Sequence, residues 1–454
     1  MDSTICAVST AVGTGAISII RCSGPEAIAV VNACFKGKNL KQVHSHTINY
    51  GFIMDEDEVI DEVLVNVMKA PKTFTTEDIV EINSHGGIAP TNRILELLLT
   101  KGCKLAEPGE FTKRAFLNGR IDLIEAEAVG DLIVSETEKA RKLALTQVTG
   151  GLSNKIKQIR GLVLSTQAEI EVNIDYPEYH DIETITSENL VPKLNEIRKE
   201  LEQLLNEAEN GRLIKTGINA VILGQPNVGK SSILNAFLNE EKAIVTDIPG
   251  TTRDVVEGKI NINGFLLNIL DTAGLRETSD LVEKIGVQKS LTFSESADLI
   301  IYVVDNTAID FSTDLEFLQN QLNKKILIFI NKDDKNPNSN IKLEQIFKNY
   351  NLVKGNTINE TGLTALKAKI IDLFNLQYIE TKNYSYLSNS RQIVLVKAAL
   401  ACIIASLFNL ENNMPIDMIT IDLKNCYEHL GEIIGETYKE DLLDELFSRF
   451  CLGK

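Results

Sequence analysis

The residues best suited to chemistry form one short run. Gly224-Gln-Pro-Asn-Val-Gly-Lys230-Ser231 has the spacing G-x-x-x-x-G-K-S. Glycines let backbone N–H groups wrap phosphate oxygens without side-chain clash. A lysine at the end of such a run reaches the β- and γ-phosphates of a nucleotide, and the hydroxyl after it ligates Mg²⁺. Asn227, Val228, Gly229, Lys230, Ser231 and Ser232 are therefore candidate nucleotide ligands. The pattern needs a strand before it and a helix after it. Ile218–Leu223 (INAVIL) reads as a buried strand, and Ser232–Leu238 reads as a helix with its positive dipole end toward the phosphates.

Three further elements follow in the order this chemistry requires. The polar loop of Thr246, Asp247, Ile248, Pro249, Gly250, Thr251 and Thr252 offers Thr252 as a second protein ligand of Mg²⁺ and a γ-phosphate sensor. Phe265–Leu270 reads as a strand ending in Asp271, Thr272, Ala273 and Gly274. There Asp271 supports Mg²⁺ through water, and the Gly274 N–H can hold the γ-phosphate. Ile326–Ile330 reads as a strand ending in Asn331, Lys332, Asp333 and Asp334. The Asp334 carboxylate can accept both N–H donors of a guanine edge, a pair that adenine does not supply. All four elements in order point to a site that binds and hydrolyses GTP.

Those loops must be held by a sheet. Leu299–Val304 and Ile326–Ile330 are wholly apolar, as strands of a parallel sheet covered on both faces are. Outside this stretch the pattern changes twice. Residues 1–118 mix short β-like runs (Ala16–Arg21, Val63–Met68, Ile79–Asn83) with a helical segment at Arg93–Leu99, which predicts an α+β domain. From about Ile121 the chain is rich in Ala, Leu, Glu and Lys. Leu194, Ile197, Leu201, Leu204, Leu205 and Ala208 make one apolar helical stripe. Pro177 must end a helix, and Asn210-Gly211 reads as a C-cap and linker. The tail beyond about 380 is again helical. The predicted architecture is multidomain: an α+β N-terminal domain (1–118), a discontinuous α-helical domain (119–213 and 377–454), and an inserted α/β P-loop GTPase domain of Ras-like type (214–376).

Composition narrows the partners. The chain has 454 residues and a net charge of −17, so RNA must be met through a local basic patch or a partner, not through the bulk field. Seven scattered cysteines with no C-x-x-C spacing read as buried reduced thiols, not as a zinc or disulfide framework. The N-terminus lacks a basic region before an apolar run, and the longest uncharged apolar run, Ala398–Phe408, is short of a membrane span. These features predict a soluble, cytoplasmic protein without membrane contact.

The phosphate loop, TDIPGTTRD (Thr246–Asp254) and DTAGLR (Asp271–Arg276) resemble the Era/Der/TrmE group of translation-associated GTPases. Five further segments, IIRCSG (Ile19–Gly24), EINSHGG (Glu81–Gly87), PGEFTKRAFLNGR (Pro108–Arg120), IDYPE (Ile174–Glu178) and FCLGK (Phe450–Lys454), are similar to the MnmE (TrmE) family over essentially the whole chain. The resemblance implies a folate-binding and dimerising N-terminal domain, and an FAD-dependent partner, MnmG (GidA), in a heterotetramer-like complex. It implies installation of an aminomethyl or carboxymethylaminomethyl group at carbon 5 of the wobble uridine of certain tRNAs. The one-carbon unit would come from a tetrahydrofolate derivative in the 5-formyl or methylene form. Folate ligands carried over by the motifs are Arg21, Glu81, Arg120 and Lys454. A carboxylate suits the amidine-like donor face of a pterin, and cations suit the glutamate tail. Cys451 would lie near the folate, and His85 reads as a structural histidine.

The sequence departs from the usual pattern at two places. Ile358-Asn359-Glu360-Thr361-Gly362 stands where a guanine-contacting S-A pair precedes T-G, so that contact is shifted or weakened. Leu275 follows DTAG, where Ras-like proteins carry a water-orienting Gln. A leucine cannot position water. The family's pattern implies that K⁺ held by Asn227, Thr246, Ile248 and Thr251 replaces an arginine finger when two GTPase domains meet. It implies that Glu283, in VEKIG, positions the water through a second solvent molecule. Two other readings compete. A ribosome-assembly GTPase would need a KH-like module or a second phosphate loop, and neither is evident. A non-catalytic folate scaffold fits poorly with intact Lys230, Ser231, Thr252 and Asp271.

Overall fold

The computed structural model describes residues 3–175, 187–240, 256–270, 297–321, 324–335, 340–356, 360–379, 385–412, 414–438, 440–450 and 452–453. Residues 1–134, 144–203 and 390–454 form one compact unit, and residues 135–143 with 204–389 form a second.

The first unit opens with an α+β layer. Strands β1 (Ile5–Val8), β2 (Ile17–Ser23), β3 (Phe35–Lys36), β4 (Thr47–Asp55), β5 (Glu58–Met68), β6 (Ile79–His85) and β7 (Lys104–Leu105) pair in the order β3-β4-β5-β6-β2-β1-β7. All neighbours are antiparallel except β1 and β7. Helices α1 (Ala27–Cys34) and α2 (Ile88–Thr100) contribute Val31, Ile94 and Leu97 to the same core as Val63, Val65 and Val67 of β5. Side chains alternate along a strand, so Leu64 faces the other way and is 46 % exposed, beside Ile48 and Tyr50 of β4. Register also sets chemistry: Arg21 on β2 lies directly opposite Glu81 on β6. Helix α3 (Glu110–Leu117) ends this part of the chain.

Helices follow: α4 (Leu123–Val134), α5 (Glu138–Val148), α6 (Gly151–Asp175) and α7 (Ser187–Thr216). The apolar stripe of α7 is real: Leu194, Ile197 and Leu201 are almost fully buried. The expected linker at Asn210-Gly211 is not. Both residues lie inside α7, which continues to Thr216. The glycine answers a packing demand instead of ending the helix. A Cβ at Gly211 would stand 2.2 Å from the Leu387 carbonyl oxygen.

The second unit carries a six-stranded sheet. Strands β8 (Ile218–Leu223), β9 (Val256–Ile262), β10 (Phe265–Leu270), β11 (Leu299–Asp305), β12 (Lys325–Asn331) and β13 (Asn351–Lys354) run in the order β13-β12-β11-β8-β10-β9. Only β9 is antiparallel to its neighbour. Helices α8 (Lys230–Glu240), α9 (Ser312–Gln319), α10 (Asn340–Ile346) and α11 (Glu360–Leu373) accompany it. Ala220, Ile222, Ile301, Val303 and Phe329 are buried in one cluster, and Val221, Leu223, Ile300, Tyr302 and Ile328 in another. Alternate residues of each central strand thus feed separate cores, which is why these strands are almost wholly apolar.

The chain then returns to the first unit through α12 (Ser390–Glu411), α13 (Ile416–Ile434) and α14 (Glu440–Ser448). Glu127 of α4 accepts hydrogen bonds from Arg391 at 3.0 Å and Gln392 at 2.8 Å, joining segments 264 and 265 residues apart. Arg160 of α6 lies 3.8 Å over the Tyr427 ring of α13 and bonds to Glu436. Helix α12 is long and apolar enough to cross a membrane by length and composition alone. Its Val396, Ala399 and Ile403 are buried with the polar Gln392, an arrangement suited to a helix of a packed bundle. The six cysteines among the described residues are all free, five of them buried.

Candidate nucleotide site and N-terminal ion-pair site

The phosphate loop joins β8 to α8, where the sequence puts it. Gly224 has φ +143° and Gly229 φ +103°. Neither can carry a side chain there. An added Cβ would meet the Val303 carbonyl oxygen at 2.3 Å in the first case and Asn331 Nδ2 at 2.2 Å in the second. Asn227, assigned to K⁺, sits at φ +62°, a left-handed conformation that Asn tolerates better than most residues. Lys230 Nζ donates to the carbonyl oxygens of Gly224 and Gln225 at 2.9 and 2.8 Å, and burial pushes its pKa down. An anion in the loop relieves that cost. Ser231 and Ser232 are exposed in the first turn of α8, where helix N–H groups lack intrahelical acceptors. A cradle that only glycine fits, a partly desolvated ammonium and exposed hydroxyls suit a Mg²⁺-bound triphosphate.

The end of β12 closes on this loop. Asn331 is buried and its Nδ2 donates to the Val228 carbonyl oxygen at 2.7 Å, while its Oδ1 has no partner among the described residues. Lys332 Nζ reaches the Asn227 carbonyl oxygen at 3.2 Å and the Asp305 carboxylate at 2.5 Å. Asp334 is exposed in the following turn. The described candidate ligands therefore converge from two places, the loop and first turn of α8 and the turn after β12.

Two supporting groups were not read from the sequence. Asp305 pairs with Asn331 in the β11–β12 register. Burial alone raises its pKa, but Lys332 and the N–H and hydroxyl of Thr307 outweigh that and hold the carboxyl below its ordinary value. A carboxylate closing the strand before an N-K-D-D strand was the available signal. The second group is Asp314 on α9, which accepts from Tyr302 at 2.7 Å. Burial raises the pKa of Asp314, against the hydrogen bonds from Tyr302 and Gln225. Gln225 also donates to Thr313 at 2.9 Å, so α9 grips the second residue of the phosphate loop. Nothing local in the sequence announces that contact.

The N-terminal candidates lie around one apolar cluster in the first unit. Arg21 Nε and Nη2 both meet Glu81 Oε1, at 2.9 and 2.8 Å. The Arg21 guanidinium is 5.6 Å from the Phe111 ring centroid. Phe111 is buried with Ile5, Ala7 and Ala106, and Phe74 packs against them. Arg120 lies 4.8 Å over Phe74 and donates to its carbonyl oxygen at 2.9 Å. The tail meets the same region: Ser9 at the end of β1 donates to the Gly453 carbonyl oxygen at 3.1 Å. Glu81 spends one oxygen on Arg21 and keeps acceptor capacity, which fits a pterin donor face. His85 is 70 % exposed and bonds to Asp61 at 2.7 Å, which raises its pKa.

Arg114 is a residue the sequence reading passed over. It is 1 % exposed, bonds to Ser3, Glu77 and Glu110, and anchors the loop that carries Phe74. Thr246, Asp247, Ile248, Pro249, Gly250, Thr251, Thr252, Asp271, Thr272, Ala273, Gly274, Glu283, Cys451 and Lys454 lie outside the described residues.

A parallel sheet, a glycine-bounded phosphate loop and an N-K-D-D turn closing on it define the second unit as a P-loop GTPase domain, set between two stretches of helix. Comparison with known proteins narrows this class. The pattern of the GTP-binding protein TrmE N-terminus matches residues 4–120, and that of the MnmE helical domain matches residues 123–451. Proteins named tRNA modification GTPase MnmE from Bacillus pumilus and Bacillus subtilis are 49 % and 47 % identical over 99 % of this chain and 100 % of their own. The protein of that name from Lactococcus lactis is 49 % identical over 99 % of this chain and 98 % of its own. The chain belongs to the MnmE family. Among solved structures, the G domain of the T. maritima FeoB iron transporter covers 34 % of this chain and 98 % of itself at 28 % identity, with a TM-score of 0.26, too slight a likeness to carry weight.

Proposed function

We propose that this protein is a GTP hydrolase of tRNA modification. With an FAD-dependent partner of the MnmG (GidA) kind, it adds an aminomethyl or carboxymethylaminomethyl group to carbon 5 of the wobble uridine, from a tetrahydrofolate one-carbon unit. The observation that carries the reading is the closure of Asn331 and Lys332 on a loop that only glycines can form at 224 and 229. Full-length identity of 47–49 % to proteins named for this activity supports it.

Lys230 and the N–H groups of α8 hold the phosphates, Ser231 and Thr252 are the protein ligands of Mg²⁺, and Asp334 selects guanine. Mg²⁺ and K⁺ supply the positive charge that offsets charge developing on the phosphates. Asn227, Thr246, Ile248 and Thr251 form the K⁺ site, and Glu283 orients the attacking water. Arg21, Glu81, Arg120 and Lys454 hold the folate. Ile48, Tyr50 and Leu64 give the sheet of the first unit an exposed apolar stripe, which supports a homodimer. The site of action is the cytoplasm. Wobble-uridine modification in a strain lacking this protein, measured by mass spectrometry of tRNA nucleosides, tests the whole reading: unchanged modification overturns it. GTP turnover in KCl against NaCl at equal ionic strength tests the K⁺ site, with much faster turnover expected in KCl.

A further inference from the structure

A groove of about 560 Å³ lies beside Arg120 in the first unit. Its walls include Lys72, His46 and Arg120, and among the described residues no acidic side chain lines it. That is unusual ground in a chain of net charge −17. The cations are not spoken for. Among the described residues the Arg120 guanidinium, with five donors, makes one hydrogen bond to protein, to the Phe74 carbonyl oxygen. Among the described residues neither it nor Lys72 has an ion-pair partner. The apolar wall is equally specific in kind: Met68, Pro71 and Phe74 face the same space.

The groove is also built and held. Loop 71–77, which forms one wall, is fixed from beneath by a buried network. Ser23 and Thr75 share a hydrogen bond of 2.7 Å, Ser23 bonds to Glu77 at 2.7 Å, and the buried Arg114 bonds to Glu77 at 3.2 Å. Asn118, which also lines the groove, donates to the Thr75 carbonyl oxygen at 2.7 Å. Thr73 donates to the Glu77 carbonyl oxygen at 2.6 Å. The ligand therefore meets a preformed surface and loses little of its binding energy to ordering the loop.

We propose that this groove is the subsite for the poly-γ-glutamate tail of the folate, beyond its first glutamate. The inference rests on the folate reading above. A γ-linked glutamate chain alternates carboxylates with short methylene arms. Lys72 and Arg120 match the carboxylates, and Met68, Pro71 and Phe74 match the methylenes. An RNA backbone would ask for a longer basic track than a groove of this size provides.

The test uses the full-length protein and calorimetry with 5-formyltetrahydrofolate bearing one or five glutamates. The pentaglutamyl form binds about five- to ten-fold tighter at physiological salt, the sum of a few exposed charge pairs. Lys72→Glu and Lys72→Ala both reduce that ratio toward one and leave monoglutamyl binding within about two-fold, because Lys72 is exposed and is not among the proposed monoglutamate ligands Arg21, Glu81, Arg120 and Lys454. Equal affinity of the two forms for the wild type overturns the tail subsite and leaves the folate reading standing. Absence of binding by either form overturns both. Lys72→Glu weakening tRNA binding in a filter assay while leaving the glutamate ratio unchanged assigns the groove to RNA and overturns the proposal.

Discussion

The two candidate sites of this protein are built in opposite ways. The nucleotide site is made mostly of residues next to one another in sequence, presented by one strand–loop–helix, and closed by a turn at the end of β12, the second strand along in the sheet. The N-terminal site is made of residues from β2, β6, the loop before β6, the segment after α3 and the C-terminal tail. In the first, backbone conformation does the work, and glycine is its signature. In the second, side chains do it, and only sheet register and a shared aromatic cluster bring them together. A site of the first kind fails when a backbone position is blocked. One of the second kind fails when its supporting network comes apart.

The largest expected effect tests the support of the N-terminal site. Arg114→Ala leaves Glu77 and Glu110 without their buried cation, and removing one partner of such a network costs about 3–5 kcal/mol. The unfolding transition of the first unit, followed in denaturant, shifts by that amount, whereas nucleotide affinity stays unchanged. Loss of nucleotide binding in the folded variant would break the contrast between the sites.

Gly229→Ala is the matching test of the nucleotide site. With φ at +103° and a Cβ 2.2 Å from Asn331 Nδ2, the loop must deform. Backbone strain of this kind costs about 1–3 kcal/mol, so GDP affinity falls about 10- to 100-fold with little change in thermal stability. Fluorescent-nucleotide titration checks it.

Gly211→Ala has a sign that depends on which link of the chain decides. Propensity alone makes Ala the better helix residue by about 1 kcal/mol. The 2.2 Å approach to the Leu387 carbonyl reverses this, and the substitution destabilises the second unit by about 1–3 kcal/mol in denaturant melts. A more stable variant would show that helix propensity outweighs the close approach to Leu387.

The smallest effect concerns Asp314. Its pKa is raised in the folded protein, so the folded state holds the proton more tightly than the unfolded chain. That contribution to stability is fully present below the unfolded value, near pH 4, and is lost as pH rises through the folded value. Asp314→Asn keeps an acceptor for Tyr302 and removes the titration. The difference in melting temperature between variant and wild type therefore grows in the variant's favour from about pH 4 upward. A difference independent of pH would show that Asp314 does not titrate in this way.

How much of this was legible follows from the same contrast. Strands Ile218–Leu223 and Phe265–Leu270 are where the sequence places them, because a strand buried on both faces is mostly apolar; the one polar residue in each, Asn219 and Asn268, is paired with the other. Arg93–Leu99 falls inside a longer helix, Ile88–Thr100, whose ends carry no strong cap. The linker at Asn210-Gly211 was misread because a glycine required by a close backbone approach looks, in one dimension, like a glycine required by a turn. Asp305 and Asp314 were missed because their partners, Lys332 and the Tyr302–Gln225 pair, are supplied by other elements.

By itself the sequence determined the phosphate loop, its strand and helix, and the alternation of the N-terminal strands, since each depends on neighbours within about ten residues. Only the tertiary structure decided that Arg21 faces Glu81, that Arg114 is buried beneath the loop carrying Phe74, and that Asn331 closes on Val228. Those are relations of register and packing between distant segments. Each is fixed by which apolar faces must meet, and no local spacing in the chain encodes the distance between them.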